Sequence, residues 1–115
     1  MDAKFIQRGD SIDFRPERDV AAGEVVTLSG KLVGIAKLDI KAGELGSLSL
    51  TGVFDMPKAL NWGIGRNAKV TWDPVARNVK GYIFEGGIPL GFAETTSQLN
   101  EPRINVRLCP GMRVP

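Results

Sequence analysis

A two-residue hydrophobic period, broken repeatedly by glycine and proline, limits this chain more than any other feature. Ile104, Val106 and Leu108 alternate with Arg103, Asn105 and Arg107, which makes one face of an extended segment apolar and the other polar. Leu48 and Leu50 alternate with Ser47, Ser49 and Thr51 in the same way, as do Ile12 and Phe14 with Ser11 and Asp13. Denser apolar runs lie between these segments: Val25 to Leu28, Leu32 to Leu38, Val70 to Trp72 and Ile88 to Ala93. Such runs fit strands covered on both faces or bending across a barrel. The 14 glycines and 7 prolines are spread along the chain, so strand-like pieces recur about every ten residues. Ala22-Gly23-Glu24 and Ala42-Gly43-Glu44 read as turns leading into strands, Ser29-Gly30 and Gly86-Gly87 as tight turns, and Asp73-Pro74 as a strand end. The expectation is an all-β fold, a small β-barrel or sandwich of about seven to nine short strands. At most one short helical turn fits, from Pro57 to Trp62, with Asp55 as its cap, Gly63 as its stop and Leu60 as its apolar contact.

The chain also carries a weak internal repeat. The stretch Val25 to Ala36 lies without gaps on Tyr82 to Ala93. Both read as apolar strand, glycine turn, then apolar strand ending in Gly-x-Ala, and each is followed by an alternating strand. Two similar hairpin units packed face to face are expected, with Gly34 and Gly91 marking a bulge or a sharp bend.

At 115 residues the chain fits one domain, residues 1–115. Such a domain hides roughly 65% of its unfolded surface and needs no disulfide or metal to fold. The net charge is +2, with 15 basic and 13 acidic residues interspersed. A nucleic-acid binder concentrates its basic residues, and here only Arg103, Arg107 and Arg113 make the C-terminal end locally basic, so no nucleic-acid partner is expected. One cysteine and no histidine leave no disulfide framework, no thiolate or imidazole metal site and no histidine base. Cys109 reads as a small, partly buried residue at the end of the last strand. Residues 1–10 lack the apolar run of a signal peptide, and no stretch approaches membrane-spanning length. Synthesis in the cytoplasm without a membrane partner is the expectation.

Known chemical motifs fail one after another. Between Gly23 and Leu32 the Gly-Lys pair falls at the wrong spacing for a phosphate loop, and Leu32 stands where Ser or Thr is required. Gly63-Ile64-Gly65 lacks the third glycine and the following helix of a dinucleotide site. Arg8-Gly9-Asp10 resembles an adhesion tripeptide, but Gly9-Asp10 reads better as the opening of the first strand. Asp10, Asp13, Glu17 and Asp19 are interleaved with Arg8, Arg15 and Arg18, which describes a self-compensating loop rather than a catalytic carboxylate pair. Trp72, inside an apolar strand, is expected in the core. Trp62, in a glycine-rich stretch, is expected at an exposed or interface position. No catalytic, cofactor-binding or metal-ligating residue is assigned.

Several segments then resemble a family of bacteriophage capsid cement, or head-decoration, proteins. Phe5-Ile6-Gln7-Arg8-Gly9-Asp10 is similar to that family's opening, and Gly30 to Ala36 to its "Gly-x-Leu-x-Gly-Val-Ala". Thr51 to Lys58 resembles "Gly-Val-Phe-x-x-Pro-Lys", and Gly65 to Asp73 resembles "Gly-x-x-Val-x-Trp-Asp". Leu90 to Ala93 and Ile104 to Leu108 resemble its ending. Arg15 to Asp19 is more charged than the family pattern, and Pro110 to Pro115 is an added extension (residues 110–115).

The resemblance implies a tulip-like β-domain on the capsid surface of the virion, made from a phage or prophage gene, with the major capsid protein as partner. It also implies a homo-oligomer, with a trimer favoured. A small β-barrel interaction module of unrelated role is the alternative. Candidate capsid or oligomer contacts are Phe5, Ile6, Gln7 and Trp62. Residues 1–8 read as a flexible N-terminal arm. Two uses of its Lys4 to Gln7 segment stand open: an edge strand added to a capsid protein, or the first strand of the chain's own sheet.

Overall fold

The computed structural model describes residues 2–7, 9–82 and 84–110. Among them are nine strands and no helix: β1 (Ser11–Phe14), β2 (Val25–Leu28), β3 (Leu32–Ala36), β4 (Gly46–Ser49), β5 (Gly52–Pro57), β6 (Lys69–Asp73), β7 (Asn78–Lys80), β8 (Ile88–Ala93) and β9 (Arg103–Leu108). They form two antiparallel sheets, one ordered β1-β4-β3-β2 and the other β5-β9-β8-β6-β7. The arrangement is sandwich-like rather than a closed barrel. The second sheet curls until its edges touch at one parallel bridge, Lys58 with Val79.

Local chemistry accounts for most of these elements. Ser29 and Gly30 both take positive φ (56° and 65°), and Lys31 N donates to Leu28 O at 3.1 Å. This is the turn that matches the twist of a two-strand hairpin. At the end of β6 the Asp73 carboxylate accepts from Val75 N and Ala76 N (2.9 and 3.1 Å) and from Lys80 Nζ at 2.6 Å. The turn into β7 is thereby fixed from within. The Lys80 hydrogen bond, followed by that of Ala76, holds the Asp73 carboxyl below its ordinary range. Along β9 the residues alternate exposed and buried as the sequence requires, and Arg103 and Arg107 pair outward with Asp55 (3.2 Å) and Glu94 (2.8 Å). Arg8, Arg113 and most of the C-terminal extension lie outside the described residues.

The two sheets are built on one plan. Strands β1, β2, β3 and β4 occupy the positions of β5, β6, β8 and β9, and β7 is an addition. The loops correspond bond for bond. Val20 and Ile40 exchange N–H to C=O bonds of 2.8 Å, and Ile64 and Ser97 exchange bonds of 2.9 Å. Gly23 N donates to Ala36 O and Ala36 N to Glu24 O; Asn67 N donates to Ala93 O and Ala93 N to Ala68 O. Ala22 N donates to Asp39 Oδ1 where Arg66 N donates to Thr96 Oγ1. Gly23 and Asn67 both sit at positive φ, 87° and 72°.

This plan corrects the expected repeat. Gly34 and Gly91 are equivalent, but β2 corresponds to β6 rather than to the Tyr82 segment, because β7 and its flanks are inserted before β8. Tyr82 and Phe84 lie outside the strands, and β8 pairs with β6 and β9. A register shift between Val70 and Thr71 places the bulge beside Gly91, while Gly34 lies in regular pairing under Leu48. The helical turn at Pro57 to Trp62 is absent as well. Its segment continues β5 through Pro57, bridges at Lys58 and turns at Asn61 (φ 63°), while Asp55, the expected cap, faces Asn105 within the sheet. Ladder bonds along β5 and β9 outweigh a single isolated helical turn.

The main core joins Val25, Val33 and Ile35 of the first sheet to Trp72, Leu90, Val106 and neighbours of the second. A smaller cluster, Val20, Ala36, Ile40 and Leu48, lies on the other face of the first sheet, with Phe14, Val26 and Leu28 packed against it.

Candidate functional site

Two surface features stand out, at opposite ends of the domain. The Ile64–Ser97 loop pair lies at the start of β6. At the other end of that strand Arg77 Nη2 donates to Val25 O at 3.0 Å, which brings the β6–β7 turn to the start of β2, beside the Val20–Ile40 pair.

The first feature is an aromatic corner around Trp62. Its foundation is Lys58, which is buried at the end of β5. Lys58 N donates to Pro102 O at 2.7 Å, and Nζ donates to Gln98 O at 2.9 Å and to Trp62 O. A buried ammonium needs such acceptors, and these two carbonyls tie the loop after β5 to the loop before β9. Asn61 N closes the same junction on Leu99 O at 2.8 Å. Gly81 then lets Trp62 lie close, since a Cβ there would stand 3.0 Å from Trp62 Nε1. Tyr82 stacks beside Trp62 with centroids 4.7 Å apart and planes tilted by 52°, and Phe84 follows at 5.5 Å. Thr71 Oγ1 holds this segment through Tyr82 O at 2.9 Å. Tilted pairs of this kind contribute about 0.5–1.5 kcal/mol each beyond their burial. Yet Trp62 and Tyr82 remain 42% and 40% exposed, with Leu60 and Leu99 exposed beside them.

The second feature is a groove of about 700 Å³ along the outer edge of β2, bounded across by Phe14 to Arg18 at the end of β1. Arg18 and Glu24 form an ion pair at its rim, which holds the Glu24 carboxyl below its usual range. Asp19 Oδ1 accepts from Ala42 N at 2.9 Å and Arg15 Nη1 donates to Gly43 O at 2.5 Å. The charged segment expected to be a solvated loop therefore clamps the turns against each other. Among the described residues no group of three or more His, Cys, Asp or Glu is placed to hold a metal ion.

Trp72 is buried in the core and Cys109 half-buried just after β9, where the sequence put them, and Trp62 is exposed. Phe5, Ile6 and Gln7 lie ahead of β1, outside any strand. The two apolar residues are 80% and 76% exposed, so they do not form the first strand, which begins at Ser11. Trp62 and this segment sit on different elements. Sequence reasoning missed Tyr82, Phe84 and the clasp by Lys58. The available signal was a pair of aromatics between glycines, Gly81 to Gly87, resembling the glycine-rich setting that marked Trp62.

A family model described as phage cement protein matches residues 6–108, and the chain belongs to that family. This gives it a capsid-associated structural role. No curated protein and no solved structure matches the chain.

Proposed function

We propose, from its membership of the cement family, that this chain is a non-enzymatic decoration protein that binds the outer capsid surface and stabilises the shell. The observation that carries the reading is the family match over residues 6–108. Such a protein acts through binding energy alone, and many symmetry-related copies act together, so modest affinity per copy suffices.

The aromatic corner is the surface assigned to the major capsid protein. Its backbone is repeated at the other end of the domain, but the chemistry differs: Trp62 stands where the first half has Arg18, and Leu99 where it has Ala42. An exposed aromatic patch on a rigid, clasped loop has the composition of interface hot spots. Phe5, Ile6 and Gln7 are assigned to contacts between copies in a homo-oligomer, a trimer by family resemblance.

Co-sedimentation with empty capsids tests this. The protein is expected to pellet with expanded shells and not with unexpanded ones. Trp62→Ala is expected to weaken binding about 30-fold, which corresponds to a hot-spot loss of about 2 kcal/mol. Failure to pellet with either shell would favour the unrelated interaction module. Wild-type binding by Trp62→Ala would remove the aromatic corner from the interface.

A further inference from the structure

We infer that the groove beside β2 is a strand-acceptor site, and that its occupant is the N-terminal segment, residues 2–7, of a second copy of this chain.

The comparison of the two halves carries the inference. In the second half β7 lies against β6 and reaches the end of β5 through the Lys58–Val79 bridge, with Ala59 N donating to Val79 O at 3.2 Å. The corresponding place in the first half lies between β2 and the end of β1, and there the groove runs, lined by Val25 to Thr27 on one side and Phe14 to Pro16 on the other. The burial of equivalent residues agrees. Met56, Val70 and Trp72 are fully buried beneath the second half's complete set of strands, whereas their counterparts Phe14, Val26 and Leu28 are only half-buried. The first half thus presents an apolar interior missing the one strand that covers it in the second.

The backbone of β2 is ready for pairing. Glu24 O and Leu28 O accept from Ala36 N and Lys31 N on the β3 side. By alternation Val25 and Thr27 turn their N–H and C=O groups to the outer edge. Val25 O is already met by Arg77, so the acceptor edge is short and centres on Thr27. Its equivalent, Thr71, pairs with Lys80 of the three-residue β7. The occupant must therefore be a short extended segment with one apolar residue facing inward and polar neighbours, as Val79 stands between Asn78 and Lys80.

Lys4-Phe5-Ile6-Gln7 supplies the inward apolar residue between polar ends, with a second apolar residue beside it. It lies outside the chain's own sheets and exposes two large apolar side chains. Strand pairing leaves one of them facing the half-covered interior and satisfies the edge amides. A segment given by each copy to the next is a head-to-tail contact, which forms a ring where its rotation closes. This inference does not depend on the capsid reading, because the association forms between copies alone.

The test compares the full chain with a variant lacking residues 2–7, by analytical ultracentrifugation and amide hydrogen exchange without capsids. The full chain is expected to self-associate, with the Thr27 amide exchanging at least about tenfold more slowly than in the deletion variant. The variant is expected to stay folded by circular dichroism and to sediment as a monomer. A synthetic peptide of residues 2–10 is expected to restore Thr27 protection in the variant. Thr27→Pro, which removes the edge donor from a strand position that tolerates proline, is expected to abolish association in an otherwise complete chain. A full chain that is monomeric, with or without Thr27 protection, would overturn the inference, as would an unchanged oligomer after deletion.

Discussion

Replacing Gly91 by alanine tests the packing of β8 on β9 most directly. Gly91 sits at φ 156° opposite Leu108, and a Cβ there would overlap Arg107 O and stand 2.8 Å from Cys109 N. Both obstacles are backbone, so no side chain can rotate away. Positive φ strain contributes about 1–3 kcal/mol. Moving β9 aside sacrifices ladder bonds, including Cys109 N to Leu90 O at 2.9 Å, at about 1 kcal/mol each. The expected loss is about 3–5 kcal/mol, a large share of the roughly 5–15 kcal/mol that holds such a domain folded.

Two other glycines separate the contributions. Gly23 has φ 87° but open space where a Cβ would go, so Gly23→Ala isolates strain at about 1–2 kcal/mol. At Gly34, equivalent to Gly91 in the repeat and at ordinary φ, a Cβ would stand 2.8 Å from Leu48 Cβ. Gly34→Ala therefore isolates overpacking at about 1–3 kcal/mol. Urea unfolding at constant m measures all three, and Gly91→Ala is expected to lower Tm by about 4 °C per kcal/mol. If Gly91→Ala costs no more than Gly23→Ala, the close approach of β8 to Arg107 is refuted.

Lys58→Met keeps the aliphatic stem but leaves Trp62 O and Gln98 O without their donor. It is expected to destabilise by about 1–3 kcal/mol in urea melts and to speed exchange of the Asn61 amide, which no purely local packing defect would do. Acid is expected to weaken the fold in a defined window. The Asp73, Glu24 and Glu94 carboxyls are held below their ordinary values by hydrogen bonds from Lys80, Arg18 and Arg107. Each therefore stabilises fully above about pH 5, and that stability is lost as pH falls through the lowered native values. Circular dichroism melts from pH 7 down to pH 2 should show Tm flat at first and then falling, and a decline starting near pH 6.5 would contradict this assignment in a chain without histidine.

Much of the architecture was legible because it is local. Alternation marked β9, paired apolar runs marked β2 and β3, and Ser29-Gly30 marked the turn between them, since each depends on residues within a few positions of one another. The burial of Trp72 and the exposure of Trp62 followed from their immediate neighbours. The segment after Asp55 was misread because a cap, a proline and a glycine satisfy local helix chemistry, whereas its true partner, β9, lies about fifty residues on. The Asp19 carboxylate read as part of a self-compensating loop because its acceptor role depends on Ala42, in a turn about twenty residues away.

The sequence by itself determined that this chain makes short strands with one apolar face, turns where glycine permits, and carries no histidine chemistry, because composition and periodicity act residue by residue. Only the tertiary structure decided which strands became partners, since ladder hydrogen bonds are blind to side-chain identity and join segments far apart in the chain. It decided too that the two halves share one plan, shifted by an inserted strand that no gap-free alignment of residues could place. The same insertion leaves β2 with an open edge where β6 has a covered one, a difference in pairing rather than in the residues themselves.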